Sequence, residues 1–314
     1  MTVETPLLAI VGPTASGKSS LAMAVARVCG GEILTIDSMQ IYTGMDIGTA
    51  KPNANERREI RHHLIDVAWP DESFSAARFV ELADEVMADR KRPLVATGGT
   101  PMYFKALFHG LFDGPGADET VRQRLRSLSA PELHERLSRV DAAAARKIHI
   151  SDERRLIRAL EVFELTGTPI SSLQKQWESN QPVRIPAVWI GLLWEKEELN
   201  RRINARVKEM IATGWVEEVR ALLEKYPAIS KTAAEATGYA ELIDFLHGKC
   251  TLEEAIEQIK IATRQLARRQ MKWFRRFPGV HWLGGNQPTE KLAREAMELW
   301  KKGAEIRTKS RAPD

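Results

Sequence analysis

The chain has 314 residues, which is long enough for one large domain that carries a smaller one. Its composition is that of an ordinary soluble protein, with 43% hydrophobic and 28% charged residues, and its net charge of +4 does not by itself indicate a polyanionic partner. Two cysteines exclude a disulfide framework and a four-cysteine zinc site. The first residues lack a basic n-region, and no apolar run approaches the ~20 residues of a transmembrane helix, so we expect a cytoplasmic protein without a membrane partner.

Short apolar runs alternate with helical patterns in the first part of the chain. Strands are predicted at 7–11, 33–36, 63–67 and 94–97, and helices at 19–29 and 75–90. Strand character returns at 187–193. Because such alternation is typical of a parallel sheet covered by helices, we predict an α/β fold with helices on both faces of the sheet.

The pattern changes after the turn-rich segment DGPGADE at 113–119. The next stretches predict helices at 119–127, 130–140 and 151–165, without a strand between them. We interpret residues 114–184 as a helical insertion domain. The α/β core then consists of residues 1–113 and 185–314, and it is again mostly helical from 195 to 277.

A glycine-rich motif follows the first predicted strand and opens the first predicted helix. It matches G-x-x-x-x-G-K-[ST] at each fixed position, in the strand-loop-helix context of a P-loop. Its residues are Gly12, Pro13, Thr14, Ala15, Ser16, Gly17, Lys18 and Ser19. Inward-facing N–H groups and the helix N-terminus favour an anion, and the Ser19 hydroxyl can ligate Mg²⁺. The motif predicts binding of a di- or triphosphate with Mg²⁺, without identifying ATP or a kinase.

Two polar residues follow other predicted strands, where ligands of α/β sheets bind. Asp37 comes just after the second strand. It is a general base, a partner of Mg²⁺ or a cap of the next element, and the pattern favours none of the three. Thr100 precedes Pro101 after the strand at 94–97, so it is either a helix N-cap or a hydroxyl that faces the phosphate crevice.

A basic helix is predicted near the end of the core. Residues 260–277 contain seven basic side chains and no acidic one. Arg264, Arg268, Lys272 and Arg276 recur every four positions on one face. Ile259, Ala262, Leu266, Trp273 and Phe277 form a separate apolar stripe, which we expect to pack on the core. The absence of acids favours a phosphate backbone as partner.

Further basic residues lie at 51–63 and in the insertion, where they are Arg122, Arg124, Arg126, Arg154, Arg155 and Arg158. We expect several of them to pair with nearby acids. His62 and His63 lack a partner at metal-ligand spacing, so we interpret them as a solvated or core pair.

Eight segments match one known family. They are GPTASGKSSLA at 12–22, DSMQIYTGMDIGTAKP at 37–52, HHLID at 62–66, GGTPMYFKALF at 98–108, RLIRALEVFELTGTPIS at 155–171, LNRRINARVKEMIATGWVEEV at 199–219, TGYAEL at 237–242 and TRQLARRQMKWFRRF at 263–277. Over about 7–283, the chain resembles the bacterial type of the tRNA dimethylallyltransferase family, also called tRNA isopentenyltransferases.

The resemblance implies transfer of a dimethylallyl group from dimethylallyl diphosphate to N6 of the adenosine 3′-adjacent to the tRNA anticodon, with release of pyrophosphate. It implies that the P-loop and Lys18 hold the diphosphate with Mg²⁺. Asp37 is then the general base, and Thr100 hydrogen-bonds near the reacting atoms. Arg206 helps to neutralise the departing pyrophosphate.

The resemblance also implies contacts with the anticodon stem-loop of tRNA. The matching residues are Asp37, Ser38, Met39, Gln40, Thr100, Arg122, Arg154, Arg155, Leu156, Ile157, Arg158, Arg264, Arg268, Arg269, Lys272 and Arg275. Residues 233–238 match a further such segment, but TAAEA at 232–236 departs from the family pattern, in which many relatives have a basic residue there. Pro101 is a second departure and suits the first position of a helix. We expect a monomer.

Other functions share part of this pattern. A P-loop kinase acting on a nucleotide or small metabolite would use the same loop, Mg²⁺ and Asp37. An isopentenyltransferase of free AMP-type nucleotides would need neither the basic helix nor the insertion. A non-enzymatic RNA-binding regulator would use the P-loop as a switch. The acid-free helix and the insertion favour the tRNA enzyme over all three.

Overall fold

We describe a computed structural model of the chain, which covers residues 6–174, 183–226 and 228–310. The chain divides into two compact units. Unit 1, the core unit, comprises residues 1–108 and 185–314, and unit 2, the insertion unit, comprises residues 109–184. The division falls between Phe108 and His109, at the end of a helix, rather than at the turn-rich segment at 113–119.

The core unit is built on a six-stranded sheet in which all paired strands are parallel. Its strands are β1 (Leu7–Val11), β2 (Glu32–Thr35), β3 (His62–His63), β4 (Leu94–Thr97), β5 (Ala187–Leu193) and β6 (Val280–Gly284). Their spatial order is β3-β2-β4-β1-β5-β6. This order places β4 between β2 and β1, with Thr35 opposite Thr97 and Ile10 opposite Thr97 in the register. The loops that follow these three strands are therefore neighbours at one edge of the sheet.

The central strand β1 is buried on both faces, and its alternate side chains enter two different cores. Leu7, Ala9 and Val11 belong to one cluster, and Leu8 and Ile10 belong to another. Successive strand side chains point to opposite faces, so a continuous apolar run such as LLAIV is what a sheet covered on both sides requires. This arrangement confirms the predicted α/β class.

Helices cover both faces of the sheet. In the core unit they are α1 (Lys18–Cys29), α2 (Ala54–Glu59), α3 (Ala76–Ala88), α4 (Pro101–His109), α10 (Lys196–Ala212), α11 (Trp215–Lys225), α12 (Lys231–Ala234), α13 (Tyr239–Leu246), α14 (Leu252–Phe274) and α15 (Thr289–Ser310). The numbers α5 to α9 belong to the insertion unit. α1 and α15 pack on the face formed by Leu8 and Ile10, while Phe104 of α4 and Phe274 of α14 pack in the other cluster.

The insertion unit is helical, with its own small core. Its helices are α5 (Glu119–Arg126), α6 (Ala130–Val140), α7 (Ala142–Lys147), α8 (Glu153–Thr166) and α9 (Ile170–Leu173). Leu125, Leu133, Leu137 and Leu160 pack together at its centre. Asp141 lies between α6 and α7 and also contacts α9. Its carboxylate accepts hydrogen bonds from the N–H of Ala144 in α7 at 2.9 Å and from the hydroxyl of Ser171 in α9 at 2.7 Å.

Several sequence predictions differ from the structure. The strand predicted at 63–67 is only His62–His63, because Leu64 and Asp66 have positive φ angles of 63° and 56° that break strand geometry. β6 was missed, since VHWLG is half-exposed at the sheet edge and lacks a continuous apolar pattern. The prediction that Trp273 packs on the core was wrong, because this residue is 38% exposed. The helix that was predicted to reach Phe277 ends earlier, at Phe274. Within the described residues, no helix combines the length and hydropathy needed to cross a membrane.

A buried carboxylate in α8 holds the insertion unit together. The Glu161 side chain is fully buried, and it accepts hydrogen bonds from Arg122 at 2.8 and 3.0 Å, from Arg158 at 2.7 Å and from the N–H of Asp118 at 2.8 Å. Burial opposes its ionisation, but the hydrogen bonds from the two guanidinium groups outweigh burial and lower the pKa of Glu161.

We predict that Glu161→Ala lowers the free energy of unfolding by about 3–5 kcal/mol, because it leaves two partly buried guanidinium groups without their counter-charge. Glu164→Ala is the matched control on the same helix. Glu164 pairs with Arg124, whose side chain is 64% exposed, and such a surface pair contributes about 0–1 kcal/mol. Urea unfolding followed by circular dichroism measures both, and equal losses in the two variants would contradict the prediction.

Candidate active site

The predicted phosphate loop forms the turn between β1 and α1. Gly17 has a φ angle of 90°, and Ala15 has a φ angle of 61°. These left-handed conformations turn the backbone sharply at the start of a 12-residue helix, which is the kind of turn that forms anion-binding concavities. The Ser16 hydroxyl is buried without a hydrogen-bond partner among the described residues. The loop therefore has the shape and unsatisfied donors of an anion site.

Three side chains outside the motif hold the loop in this shape. The Trp194 ring N–H donates to the carbonyl of Ser16 at 2.9 Å, and Nε of Arg202 donates to the carbonyl of Ala15 at 2.8 Å. The Arg202 guanidinium lies 4.3 Å from the centre of the Trp194 ring, in cation–π geometry. Gln270 of α14 accepts from the N–H of Thr14 at 2.8 Å. Both outward-facing carbonyls and one N–H of the loop are therefore fixed by protein.

Asp37 lies two residues beyond the end of β2, and backbone donors fix its carboxylate. Oδ1 accepts from the N–H of Met39 at 3.0 Å, and Oδ2 accepts from the N–H of Gly99 at 3.2 Å. The second of these bonds joins the loop after β2 to the loop after β4. The carboxylate is thus oriented by its own loop and by the loop after β4 together.

Thr100 makes the same connection from the other side. Its hydroxyl accepts from the N–H of Ser38 at 2.8 Å and donates to the hydroxyl of Ser38 at 3.0 Å. The Thr100 carbonyl accepts from the N–H of Phe104 at 3.2 Å, so the residue also begins α4, which starts at Pro101. Of the two interpretations, the hydroxyl that faces the crevice holds for the side chain, while the backbone provides the helix start.

The loops approach each other so closely that one position admits only glycine. A Cβ on Gly98 would lie 1.9 Å from the carbonyl oxygen of Ile36, and a Cβ on Gly99 would lie 2.8 Å from Nε2 of Gln270 and 3.1 Å from Oδ2 of Asp37. Real Cβ atoms do not approach to 1.9 Å, so Gly98 is required for the contact between the loops.

A single cavity of about 1320 Å³ joins these elements. Its walls include Lys18, Asp37, Thr100 and Arg206. Ser38, Met39 and Gln40 lie along the same wall, and Glu235, Ala236 and Thr237 line another part. Such a volume exceeds the 300–1,000 Å³ of typical small-molecule sites, so it has room for a diphosphate together with a purine. The four residues predicted to be catalytic therefore face one space.

Burial lowers the pKa values of two cationic side chains in the cavity, Lys18 and Arg206. Burial lowers the pKa of Lys18 to about 8, although the nearby Asp37 carboxylate opposes this shift and Arg206 adds to it. Burial likewise lowers the pKa of Arg206, again against the attraction of Asp37. Two desolvated cations close to one carboxylate create a site in which a bound polyanion would restore the charge balance.

The donors near the loop fit Mg²⁺ that arrives with a diphosphate. Ser19, at the second position of α1, lines the cavity. Across residues 6–174, 183–226 and 228–310, the structure places no group of three His, Cys, Asp or Glu side chains to hold a metal. A cation here would take the Ser19 hydroxyl and complete its shell with phosphate oxygens and water, which is the coordination that Mg²⁺ prefers.

The basic helix presents most of its charge outward. Arg268, Arg269 and Lys272 are exposed on α14, Arg275 is exposed directly after its end, and Arg269 also lines the cavity. Arg264 differs from them, because it is half-buried and donates to the side-chain oxygen of Asn204 at 2.8 Å. Trp273 lies at the cavity wall next to this charged surface.

The residues predicted in the insertion are less available. Arg122 and Arg158 are held by the buried Glu161, and Arg155 pairs with Asp152 at 2.6 Å. The side chains of Leu156 and Ile157 are buried, so the contacts predicted for them cannot be made through their side chains. Apolar spacing along α8 directs these two residues into the core of the unit. Arg154 is exposed on the same helix.

Sequence reasoning missed the residues that support the site. Gln270 was absent from the prediction, although it lies four residues after Leu266 of the apolar stripe and four residues before the buried Phe274. A polar residue at such a position was the available signal. Glu218 also went unnoticed: it accepts hydrogen bonds from the N–H groups of Asp46 and Ile47 at 2.8 and 2.6 Å and from the Tyr239 hydroxyl at 2.7 Å. It fixes the loop that forms the far wall of the cavity.

Comparisons with known proteins identify the family of the chain. The family model of IPP transferase matches residues 40–277. The chain is 44% identical to the tRNA dimethylallyltransferase of Geobacter sulfurreducens over 289 residues, covering 89% of this chain and 92% of that protein. Among solved structures, it is similar to the full-length tRNA isopentenylpyrophosphate transferase of Bacillus halodurans, with 38% identity, a TM-score of 0.72 and coverage of 98% and 99%.

A eukaryotic dimethylallyltransferase acting on tRNA is a more distant match. It shares 27% identity and a TM-score of 0.78, over 96% of this chain and 77% of that one. The chain matches these enzymes in sequence and in fold over most of its length. The same chain has the P-loop, Asp37 and Thr100 around one cavity. The chain therefore belongs to the IPP transferase family, the family of the tRNA dimethylallyltransferases.

Proposed function

We propose that this protein transfers a dimethylallyl group from dimethylallyl diphosphate to N6 of the adenosine 3′-adjacent to the anticodon of tRNA and releases pyrophosphate. The observation that carries the proposal is the shared cavity, in which the phosphate loop and Lys18 face the same space as the Asp37 carboxylate. The family to which the chain belongs supports the same reaction.

The first requirement of the reaction is a site for the leaving group. The allylic C–O bond breaks with its electron pair moving onto pyrophosphate, so negative charge grows on the phosphate oxygens. The inward-facing loop amides, Lys18 and Arg206 are oriented before the reaction, and such pre-oriented donors stabilise the developing charge without rearrangement. Mg²⁺ held at Ser19 would add its charge to the same oxygens.

The second requirement is a proton acceptor. The adenine N6 amine is a weak nucleophile, because its lone pair is conjugated with the ring. As N6 bonds to the allylic carbon, Asp37 accepts one N6 proton. The N–H groups of Met39 and Gly99 hold the carboxylate in place, so its remaining lone pairs can point into the cavity. General-base catalysis of this kind contributes roughly 10²–10⁴-fold.

The third requirement is access for a base that belongs to an RNA loop. An adenosine leaves its stack at a cost of a few kcal/mol, which contacts to the RNA backbone must offset. Arg268, Arg269 and Lys272 on α14 and Arg275 at its C-cap supply exposed positive charge, and Arg269 lines the cavity. A kinase of a nucleotide or small metabolite would have no use for this surface, and family membership does not favour it.

Incubation of the protein with unmodified tRNA, dimethylallyl diphosphate and Mg²⁺, followed by nucleoside mass analysis, tests the function directly. We expect an adenosine heavier by one dimethylallyl group at the position after the anticodon. ATP consumption without any prenylated nucleoside would instead support the kinase.

Asp37→Ala is expected to reduce the single-turnover rate by about 10²–10⁴-fold, because the proton acceptor is lost. Its tRNA affinity should stay close to that of the wild type. Asp71→Ala, at an exposed position outside the cavity, is the control and should transfer normally. A full transfer rate in Asp37→Ala would remove this residue from the mechanism.

The lowered pKa of Lys18 predicts a pH dependence of pyrophosphate binding. As pH rises through about 8, the ammonium of the free enzyme loses its proton, so the affinity that depends on it declines. Lys18→Met should bind pyrophosphate more weakly at neutral pH and lack this decline. Calorimetry from pH 6.5 to about 9.5 measures the pyrophosphate affinity of the wild type and of Lys18→Met. The ratio of the two affinities removes the effect of pyrophosphate ionisation, which is the same for both proteins. A constant ratio would refute the assignment.

Arg268→Ala should weaken tRNA binding and reduce the slope of log K against log salt by about 1, because one phosphate contact is lost. Arg92→Ala is the matched control. Arg92 is exposed and lies just before β4. It is therefore at the amino end of this strand, whereas the site lies at its carboxyl end. Filter binding at several salt concentrations gives both slopes, and identical slopes for the two variants would exclude α14 as the RNA surface.

A further inference from the structure

Gln270 is a buried amide on a helix whose outer face is basic. Its side chain is 7% exposed, whereas its neighbours Arg268, Arg269 and Lys272 are exposed. Burial of an uncharged amide is favourable only when its hydrogen bonds are made. Both ends of this amide are paired, and both partners belong to loops of the active site.

The two hydrogen bonds of Gln270 leave its amide one orientation. Oε1 accepts from the backbone N–H of Thr14 in the phosphate loop at 2.8 Å, and Nε2 donates to the backbone carbonyl of Gly99 at 2.7 Å. An N–H requires an acceptor and a carbonyl requires a donor, so a flipped amide would break both bonds. The side chain is therefore a bridge between the loop after β1 and the loop after β4.

The bridge continues to the proton acceptor. Gly99, whose carbonyl Gln270 holds, donates its own N–H to Oδ2 of Asp37 at 3.2 Å. Helix α14 also packs against the phosphate loop through Ala267, which lies in one cluster with Ala15 and Ile203. The exposed face of α14 is thus cationic. Its buried face makes the contacts that set the position of the phosphate loop and of Asp37.

We propose that Gln270 is a positioning residue for the transfer reaction, which aligns the phosphate loop and Asp37 with each other and with the RNA-facing helix α14. It touches neither substrate in this role, and it acts through the backbone of Thr14 and Gly99. The inference rests on the proposed function, since alignment matters only where a diphosphate and a base react across the cavity. A misplacement of about 1 Å between reacting groups can cost about 100-fold in rate.

Gln270→Met is the test variant, because methionine has a similar length and no group that makes these hydrogen bonds. Gln265→Met is the matched control, since Gln265 is exposed on the same helix. We expect Gln270→Met to lower the single-turnover rate at saturating tRNA and dimethylallyl diphosphate by about 10- to 100-fold. Its Kd for tRNA should stay within about twofold of the wild type, because the exposed cations are unchanged.

A second measurement is independent of transfer. Binding of pyrophosphate with Mg²⁺, measured by calorimetry without tRNA, should weaken about 3- to 10-fold in Gln270→Met, since the loop amides lose one fixed support. Gln265→Met should bind as the wild type does. Gln270→Glu keeps an acceptor for Thr14 but places an oxygen against the Gly99 carbonyl, so it should also transfer slowly, and it serves as the test variant if the methionine protein does not fold.

The inference is overturned if Gln270→Met transfers at the wild-type rate and binds pyrophosphate normally. It is equally overturned if tRNA affinity falls while the rate at saturation is unchanged, because Gln270 would then contact RNA instead of aligning the site. A wild type and a Gln265→Met variant that both fail to prenylate tRNA would refute the proposed function, and the pyrophosphate measurement would still decide the role of Gln270.

Discussion

The hydrogen bond from the Gly99 N–H to the Asp37 carboxylate is the contact on which the site depends, because it joins the loops after two neighbouring strands. The strand order makes this contact possible. β4 lies between β2 and β1, so the loop that follows it lies between the Asp37 loop and the phosphate loop. Gly98 allows the approach, since any side chain there would collide with the Ile36 carbonyl. The Thr100 and Ser38 hydroxyls then link the same two loops a second time.

The long helix α14 combines two properties that usually belong to different elements. Its exposed side chains are cationic over the last part of the helix, while Ala255, Ile259 and Phe274 are buried in the core. Gln270 and Lys260 are buried polar residues of this helix, and the Gln270 amide reaches the loops after β1 and β4. The exposed cations and the hydrogen bonds to the loops after β1 and β4 therefore belong to one continuous helix.

Positively charged side chains of this chain occupy three different environments. In the insertion, Arg122 and Arg158 neutralise the buried Glu161, so part of the basic composition stabilises the fold of that unit. On α14, Arg268 and Arg269 have exposed side chains, and Arg269 lines the cavity. Inside the cavity, Lys18 and Arg206 lose solvent, and burial lowers the pKa of each. A basic side chain is thus a partner of a buried carboxylate, an exposed charge or a desolvated cation of the cavity, depending on what surrounds it.

The sequence determined the elements whose signals are local. The run LLAIV and the loop from Gly12 to Ser19 identify β1, the start of α1 and an anion site, because strand burial and loop geometry depend on adjacent residues. Asp37 and Thr100 were found as polar residues at strand ends. The tertiary structure alone decided the orientation of the Asp37 carboxylate, which depends on Gly99, and the function of Gln270, which depends on partners at positions 14 and 99. Hydrogen bonds between residues so far apart in the chain leave no periodicity in the sequence, so only the folded arrangement of the strands and α14 reveals them.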